Sequence, residues 1–157
     1  MEKHLHIIAF DVPYPADYGG ACDVFYKLPA FQKEGIKVHL HCFEYGRGHQ
    51  NALNAYCESV HYYPRVQGHK GFSSTLPYIV SSRINETLYQ NLLKDDYPIF
   101  MEGVHCTYLL QDPRFKNRDC FVRLHNVEYR YYQDLYKNAS SPLKKAYYWN
   151  ESRLLKK

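Results

Sequence analysis

The chain has no apolar run near the roughly eighteen residues that a helix needs to cross a bilayer. It also has no C-x-x-C pair, no G-x-G-x-x-G and no G-K-[ST]. The first absence excludes a helical membrane span. The second removes the thioredoxin-type and paired-cysteine zinc signatures. The last two withdraw the main support for a nicotinamide or ATP site. A G-x-S-x-G elbow is missing, which argues against a serine hydrolase, and no Asp-x-Asp clamp for a nucleotide sugar occurs.

The five cysteines (Cys22, Cys42, Cys57, Cys106, Cys120) are odd in number and scattered. They read as buried thiols in a reducing setting. Met1-Glu2-Lys3-His4 leads straight into an apolar run, without a leader-like segment, so a cytoplasmic protein is expected. Charge of one sign is also scarce: 20 Lys and Arg against 16 Asp and Glu give a formal +4. A nucleic-acid partner is not expected from so mild an excess. Lys144, Lys145, Arg153, Lys156 and Lys157 crowd the end of the chain, where they suit either a solvated helix or peripheral contact with anionic lipid. His4/His6 and His39/His41 are i, i+2 pairs that share a strand face, but their spacing is not that of a structural zinc site, and no metal is expected.

Tyrosine is abundant, at 17 residues, many of them in pairs (Tyr62-Tyr63, Tyr131-Tyr132, Tyr147-Tyr148). In a pair one ring can pack inward while the other lines a surface or cleft.

At 157 residues the chain suits one domain with a real core. His4–Asp11 is an apolar strand that empties into the loop Val12-Pro13-Tyr14-Pro15-Ala16-Asp17-Tyr18-Gly19-Gly20. From Ala21, apolar residues recur at Val24, Leu28 and Phe31, a helical face that Pro29 should distort and Gly35 should cap. Val38–Phe43 and Ser59–Tyr63 read as the second and third strands, with a short helix at Gln50–Tyr56 between them. Arg65–Ser74 is polar and glycine-containing, the best candidate for a mobile loop. Leu76–Leu93 has helical spacing with a break near Ser81-Ser82. Tyr97–Gly103 and Cys120–Leu124 are further strands, with a helical turn at Thr107–Leu110 between them. Helices follow at Val127–Lys137 and Pro142–Lys157. Strands alternating with helices predict an α/β domain, a parallel sheet covered on both faces.

Ligands of such sheets bind beyond the carboxyl ends of the strands. Those ends carry the Asp11–Gly20 loop, Glu44–Gly48, Glu102-Gly103-Val104-His105 and His125-Asn126-Val127-Glu128. Gly19-Gly20 allows close backbone approach at a helix start, although Gly-Gly after proline is also an ordinary turn. His125 sits between a strand and a helix, where it serves equally as a sugar contact and proton relay or as a structural residue. Asn126 is placed to cap the following helix.

The opening strand, the Pro-x-x-x-Asp-Tyr-Gly-Gly loop, the run Phe31-Gln32-Lys33-Glu34-Gly35-Ile36-Lys37-Val38 and Arg123-Leu124-His125-Asn126-Val127-Glu128 resemble the N-terminal half of glycosyltransferase family 4 enzymes. These are retaining transferases of GT-B architecture, and the resemblance covers nearly the whole chain. It implies a Rossmann-like, doubly wound domain (residues 1–157) on the acceptor side of a two-domain enzyme. That enzyme moves a sugar from a nucleotide-sugar donor to a glycan or lipid-linked acceptor, without a cofactor or metal. Carried onto this chain, Gly19 and Gly20 approach the donor phosphates and His125 contacts the reacting sugar as the catalytic residue. Tyr14, Asp17, Tyr18, Glu102 and His105 take the acceptor side, with Asn126 and Glu128 near the cleft. The family's Glu-x7-Glu motif and donor-binding domain are not in this sequence, so the chain alone is expected to be inactive, and its final helix is expected to continue into further polypeptide. The alternative is a stand-alone α/β module that binds a carbohydrate or nucleotide without chemistry.

Overall fold

The computed structural model describes residues 2–156. Five strands, β1 (Lys3–Ala9), β2 (Ile36–Glu44), β3 (Ser59–Pro64), β4 (Ile99–Glu102) and β5 (Cys120–Arg123), make one sheet in the order β3-β2-β1-β4-β5. Every neighbouring pair is parallel. This is a Rossmann-like doubly wound sheet, the fold expected from the alternation of strands and helices.

The central strand is apolar on both faces because both are covered. On one face Ile7, Ala9, Leu40 and Cys42 pack with Val24 of α1 (Gly19–Phe25), Leu28 of α2 (Lys27–Lys33) and Leu53. On the other, Ile8, Phe43, Ile99 and Met101 pack with Leu88 and Leu92 of α4 (Glu86–Leu92) and with Leu109 and Phe115. The expected distortion at Pro29 takes a definite form. Pro29 has no N–H to offer the Phe25 carbonyl one turn earlier, so the helix breaks at Tyr26 into α1 and α2. Gly35 follows with φ +72°, a left-handed conformation that glycine adopts without strain.

The stretch from Leu76 to Leu93 also divides. A short α3 (Tyr78–Ser81) is separated from α4, whose start is capped by Asn85 accepting from the Leu88 N–H at 3.0 Å. The 65–74 segment holds a 3₁₀ turn at Gly68–Gly71, tied to α3 by Ser81 Oγ donating to the Gly71 carbonyl at 2.6 Å. Helices α5 (Glu128–Asn138) and α6 (Pro142–Leu155) pack on α3 through Tyr132, Tyr147 and Tyr148. The buried Glu151 reaches from α6 to accept the otherwise orphaned Tyr78 N–H at 2.6 Å. Of the Tyr131-Tyr132 pair, Tyr132 is buried and Tyr131 exposed. Among the described residues, no helix is long and apolar enough to cross a membrane.

The histidine pairs share a strand face, and the parallel register brings the rings of different strands together. His6 lies opposite His39, and Ile8 opposite His41. His6 Nδ1 meets His41 Nε2 at 2.9 Å, His41 Nδ1 meets the Tyr63 hydroxyl at 2.9 Å, and His6 Nε2 meets Asp95 Oδ1 at 2.9 Å. A second rung joins His4 Nδ1, His39 and Ser59 Oγ. The Asp95 carboxylate can only accept, so it fixes every proton along the first chain. His6 Nε2–H donates to Asp95, His41 Nε2–H donates to His6 Nδ1, and Tyr63 O–H donates to His41 Nδ1. Asn91 Nδ2–H closes the series by donating to the Tyr63 oxygen at 2.9 Å.

Candidate functional site

Chain order reverses direction between β1 and β4, since β2 and β3 extend the sheet one way and β5 the other. Open α/β sheets bind ligands beyond the carboxyl ends of strands at such a point. Here that edge carries a cleft of about 560 Å³, lined by Phe10, Tyr18, Gly19, Gly20, Asp23, His105, Arg123, Leu124, His125, Asn126, Glu128 and Tyr131.

Its floor is a chain of charges. Glu102, the last residue of β4, is fully buried at 0% exposure. Its Oε1 accepts from Lys27 Nζ at 2.6 Å, and its Oε2 is 2.9 Å from His125 Nε2. The other ring nitrogen, His125 Nδ1, faces Asp23 Oδ2 at 3.0 Å, and Asp23 Oδ1 accepts from Arg123 Nη2 at 2.9 Å. The local sequence explains the convergence. Side chains alternate along a strand, so Phe100 and Glu102 of β4 point to the face covered by α1 and α2, as does Arg123, which lies opposite Glu102 in β5. Lys27 follows the break at Tyr26 and lies over the Phe100 ring, 5.5 Å from its centroid. Glu102 thus fixes the imidazole through Nε2, Asp23 stands close to Nδ1 on the other side, and the ring lines the cleft. A buried carboxylate is tolerated only when it is paired and hydrogen-bonded, and Glu102 is both.

Asp23, Glu102 and His125 each bring a potential ligand atom within 4.8 Å of the others, a separation that suits a divalent ion. Nε2 is already bonded to Glu102, and Lys27 and Arg123 balance the two carboxylates, so an ion would have to displace Lys27 from Glu102.

The glycines have different reasons. A Cβ at Gly20 would lie 2.7 Å from Phe10 Cζ and 2.9 Å from Tyr18 Cε2, so glycine is required there by packing. A Cβ at Gly19 would meet nothing within 4 Å, and its backbone is open to the cleft. Gly103, at the end of β4, has φ +84° and ψ 164°, a region that is essentially glycine-only. A Cβ there would strike His105 Nδ1 at 2.7 Å.

Of the residues singled out in the sequence, Gly19, Gly20, Tyr18, His105, His125, Asn126 and Glu128 line the cleft. Glu102 lies beneath it and acts through His125. Tyr14 packs into the core against Phe25, with ring centroids 5.4 Å apart, and Asp17 is exposed and paired with Arg47 at 2.8 Å. Neither lines the cleft. Tyr18 donates its hydroxyl to Asp11 Oδ2 at 2.8 Å, and burial and that carboxylate push its ionisation well up. Asn126 does not cap α5; the residue before the helix is Val127, with no side-chain cap. Burial pushes the Glu128 carboxyl up. His105 stacks on Phe10, 4.9 Å between centroids, and its Nδ1 is buried with no hydrogen-bond partner. Burial, aided by Arg83 and Arg65, pushes His105 down to about 3.

The sequence reading passed over Lys27, Asp23 and Arg123. Asp23 and Lys27 are four apart beside the Val24–Leu28 apolar face, a spacing that places them on one side of a helix next to the sheet. Arg123 stands two residues before His125 in the same strand-end segment.

No known protein family profile matches the chain. It is 27% identical over 152 residues to a Klebsiella pneumoniae protein described as an uncharacterized 44.6 kDa protein in the cps region. That match covers 92% of this chain and 39% of the relative, so the chain spans about two fifths of the relative's length.

Proposed function

We propose that this chain is the acceptor-side domain of a retaining glycosyltransferase, moving a sugar from a nucleotide sugar to a glycan or lipid-linked acceptor. The observation that carries the reading is the imidazole of His125, clamped between Glu102 and Asp23 at the switch point of the sheet and facing the cleft. Glu102 holds Nε2, so Nδ1, which lies beside Asp23 at the cleft, is the nitrogen left to hydrogen-bond a sugar hydroxyl or to stabilise charge that develops on the reacting sugar. Glu102, Lys27 and Asp23 are positioning residues: they set the ring and touch no substrate themselves. The open backbone at Gly19 supplies the wall nearest the leaving diphosphate. Most contacts to the nucleotide would come from polypeptide beyond this chain, in keeping with a relative more than twice its length. The chemistry is cytoplasmic on this reading, and the exposed Lys144 and Lys145 are available to a lipid-linked acceptor's membrane surface.

The test is a nucleotide-sugar panel assayed with the complete gene product and its His125→Ala variant. A donor should be turned over, and the variant should lower kcat by roughly 10²-fold. Unchanged turnover in the variant removes His125 from the chemistry. Tight carbohydrate or nucleotide binding with no turnover of any donor identifies a binding module instead.

A further inference from the structure

Beside the cleft, two arginines that are partly or fully buried lack a carboxylate partner; the others without one among the described residues, Arg130 and Arg153, are exposed to solvent. Arg83 is 4% exposed. Its Nε donates to the Phe10 carbonyl at 2.9 Å and its Nη1 to the Ile79 carbonyl at 2.8 Å. Its Nη2 has only the Tyr45 hydroxyl, at 3.5 Å. Arg65 spends its Nε on Ser82 Oγ at 3.2 Å, and among the described residues its two Nη groups find no acceptor. Both guanidiniums lie over the same ring: Arg65 Cζ is 4.5 Å and Arg83 Cζ 5.5 Å from the Tyr45 centroid. Among the described residues, no carboxylate pairs with either one. By contrast, the similarly buried Arg118 is met by Asp95 at 2.9 Å, and Arg47, Arg114 and Arg123 each have an acidic partner.

Two like charges gathered on one ring, one of them buried, are costly without a counter-ion. Arg65 ties the end of β3 to Ser82 and also lies 5.4 Å from the Tyr78 centroid, contacts that place its guanidinium without supplying a counter-charge. The carbonyls of Phe10 and Ile79 explain how Arg83 ties β1 to α3, but they leave its charge unneutralised. The position is also specific. Tyr45 follows β2, Arg65 follows β3, and Phe10 follows β1, so the pair sits on the same carboxyl edge as the cleft, separated from it by Phe10 and His105.

We propose that Arg65 and Arg83 form a phosphate site, their unspent Nη groups receiving the oxygens of a phosphate dianion above Tyr45. The Nη1/Nη2 pair of Arg65 and the remaining Nη2 of Arg83 match a doubly charged, multidentate oxyanion in charge and in donor number. On the transferase reading, the phosphate belongs to a phosphorylated saccharide acceptor whose sugar reaches the cleft. The site itself stands without that reading.

The experiment is a titration of the protein with inorganic phosphate, and separately with a sugar 1-phosphate, at fixed ionic strength with chloride as the control. It is followed by the guanidinium Nε–Hε resonances and by thermal melting. Phosphate should shift the Arg65 and Arg83 resonances saturably and raise Tm, and chloride should do neither. Arg65→Gln, at the more exposed position, should weaken the phosphate affinity at least tenfold with the melting temperature in chloride nearly unchanged. Arg83→Lys keeps the charge but not the fork and should also weaken it. A sugar 1-phosphate that binds more tightly than inorganic phosphate identifies a saccharide ligand; equal affinity identifies free phosphate. Resonances that respond to phosphate no more than to chloride, or an affinity unaffected by Arg65→Gln, overturn the proposal. Phosphate binding without turnover of any nucleotide sugar would leave this site standing and remove the transferase reading. Turnover with no phosphate response would do the reverse.

Discussion

Lowering the pH should unfold this protein well before its carboxylates protonate, because the histidine chain across β1, β2 and β3 has no room for another proton. His41 is 1% exposed, and burial, with His6, His61 and His39 around it, holds its ionisation well below the ordinary histidine range. Burial also lowers His6, partly offset by Asp95. Asp95 itself stays low despite partial burial because His6, the Tyr97 N–H and Arg118 favour its charged form. The geometry gives the same answer. Protonating His41 would reverse its contact with Tyr63: the phenol oxygen would have to accept from both His41 and Asn91, and its own hydrogen would turn away from the only acceptor it has among the described residues.

In the unfolded chain each ring takes up a proton near pH 6.5. The native state refuses it, so the unfolded state binds more protons, and stability falls as pH drops through 6.5 towards the native values. The full slope is about 1.4 kcal/mol per pH unit for each ring. His41 and His6 together therefore remove up to about 3 kcal/mol per pH unit, a large share of the 5–15 kcal/mol that holds a domain of this size. His105, beside the cleft, has the same sign. The half-exposed His39 and His61 are lowered in the same direction but count for less, because solvent screens them. Glu128 and Glu151, raised by burial, act with the opposite sign. The window to measure is thus pH 7 to 5.5. Urea unfolding of the wild type across it should show a steep loss of stability. His41→Phe should be less stable at pH 7 by about 1–3 kcal/mol for the two orphaned partners, with a slope shallower by about 1.4 kcal/mol per unit. Ring-proton NMR of the wild type reads the same quantity without a variant. Stability flat between pH 7 and 5.5, or a His41 resonance titrating near 6.5, would refute the reasoning.

Two substitutions separate packing from ligand approach. Gly20→Ala should destabilise by about 1–3 kcal/mol, since its methyl must push aside Phe10 and Tyr18. Gly19→Ala should leave the urea midpoint unchanged or slightly raised and weaken only donor binding in the complete gene product; equal destabilisation by both would show that the open space at Gly19 is not real. Gly103→Ala should cost at least about 1–3 kcal/mol from backbone conformation. It should also displace His105, visible as a shifted imidazole resonance, and a fully stable variant with His105 unmoved would contradict the φ of +84°.

The sheet was legible because β1 is buried on both faces, so Ile7-Ile8-Ala9 stands out as an apolar run, and because Val38, Leu40 and Cys42 alternate with His39, His41 and Phe43 in β2. The histidine chain was half legible. An i, i+2 spacing tells which face His6 and His41 occupy, but the partner across the sheet depends on register, which the α1–α2 crossover sets. Asp23 and Lys27 were obscured by Pro29, because a break at Tyr26 changes which residues of the two helices face β4. Gly20 was visible as a glycine, but its requirement comes from an aromatic ring ten residues earlier, and contacts of that kind leave no local pattern. Asn126 is the reverse case: a residue type suited to capping stands one position too early, and Val127 takes the place before α5.

The interior of the sheet and its carboxyl edge handle buried polarity in opposite ways, and the difference points to where a ligand would sit. Within the sheet, along the chain that runs from Asp95 across β1 and β2 to β3, His6, His41 and Tyr63 are neutral and every proton is assigned, so the chain is complete and no group is left to face a ligand. At the carboxyl edge the groups are charged. Lys27 and Arg123 there balance Glu102 and Asp23, which leaves the His125 edge as the uncommitted surface. Arg65 and Arg83 are balanced by nothing in the described chain. Two like charges over Tyr45, one of them buried, are a cost that an anion from outside would remove. A phosphate titration is therefore the sharper first experiment: it requires neither the identity of the sugar nor any polypeptide beyond this chain.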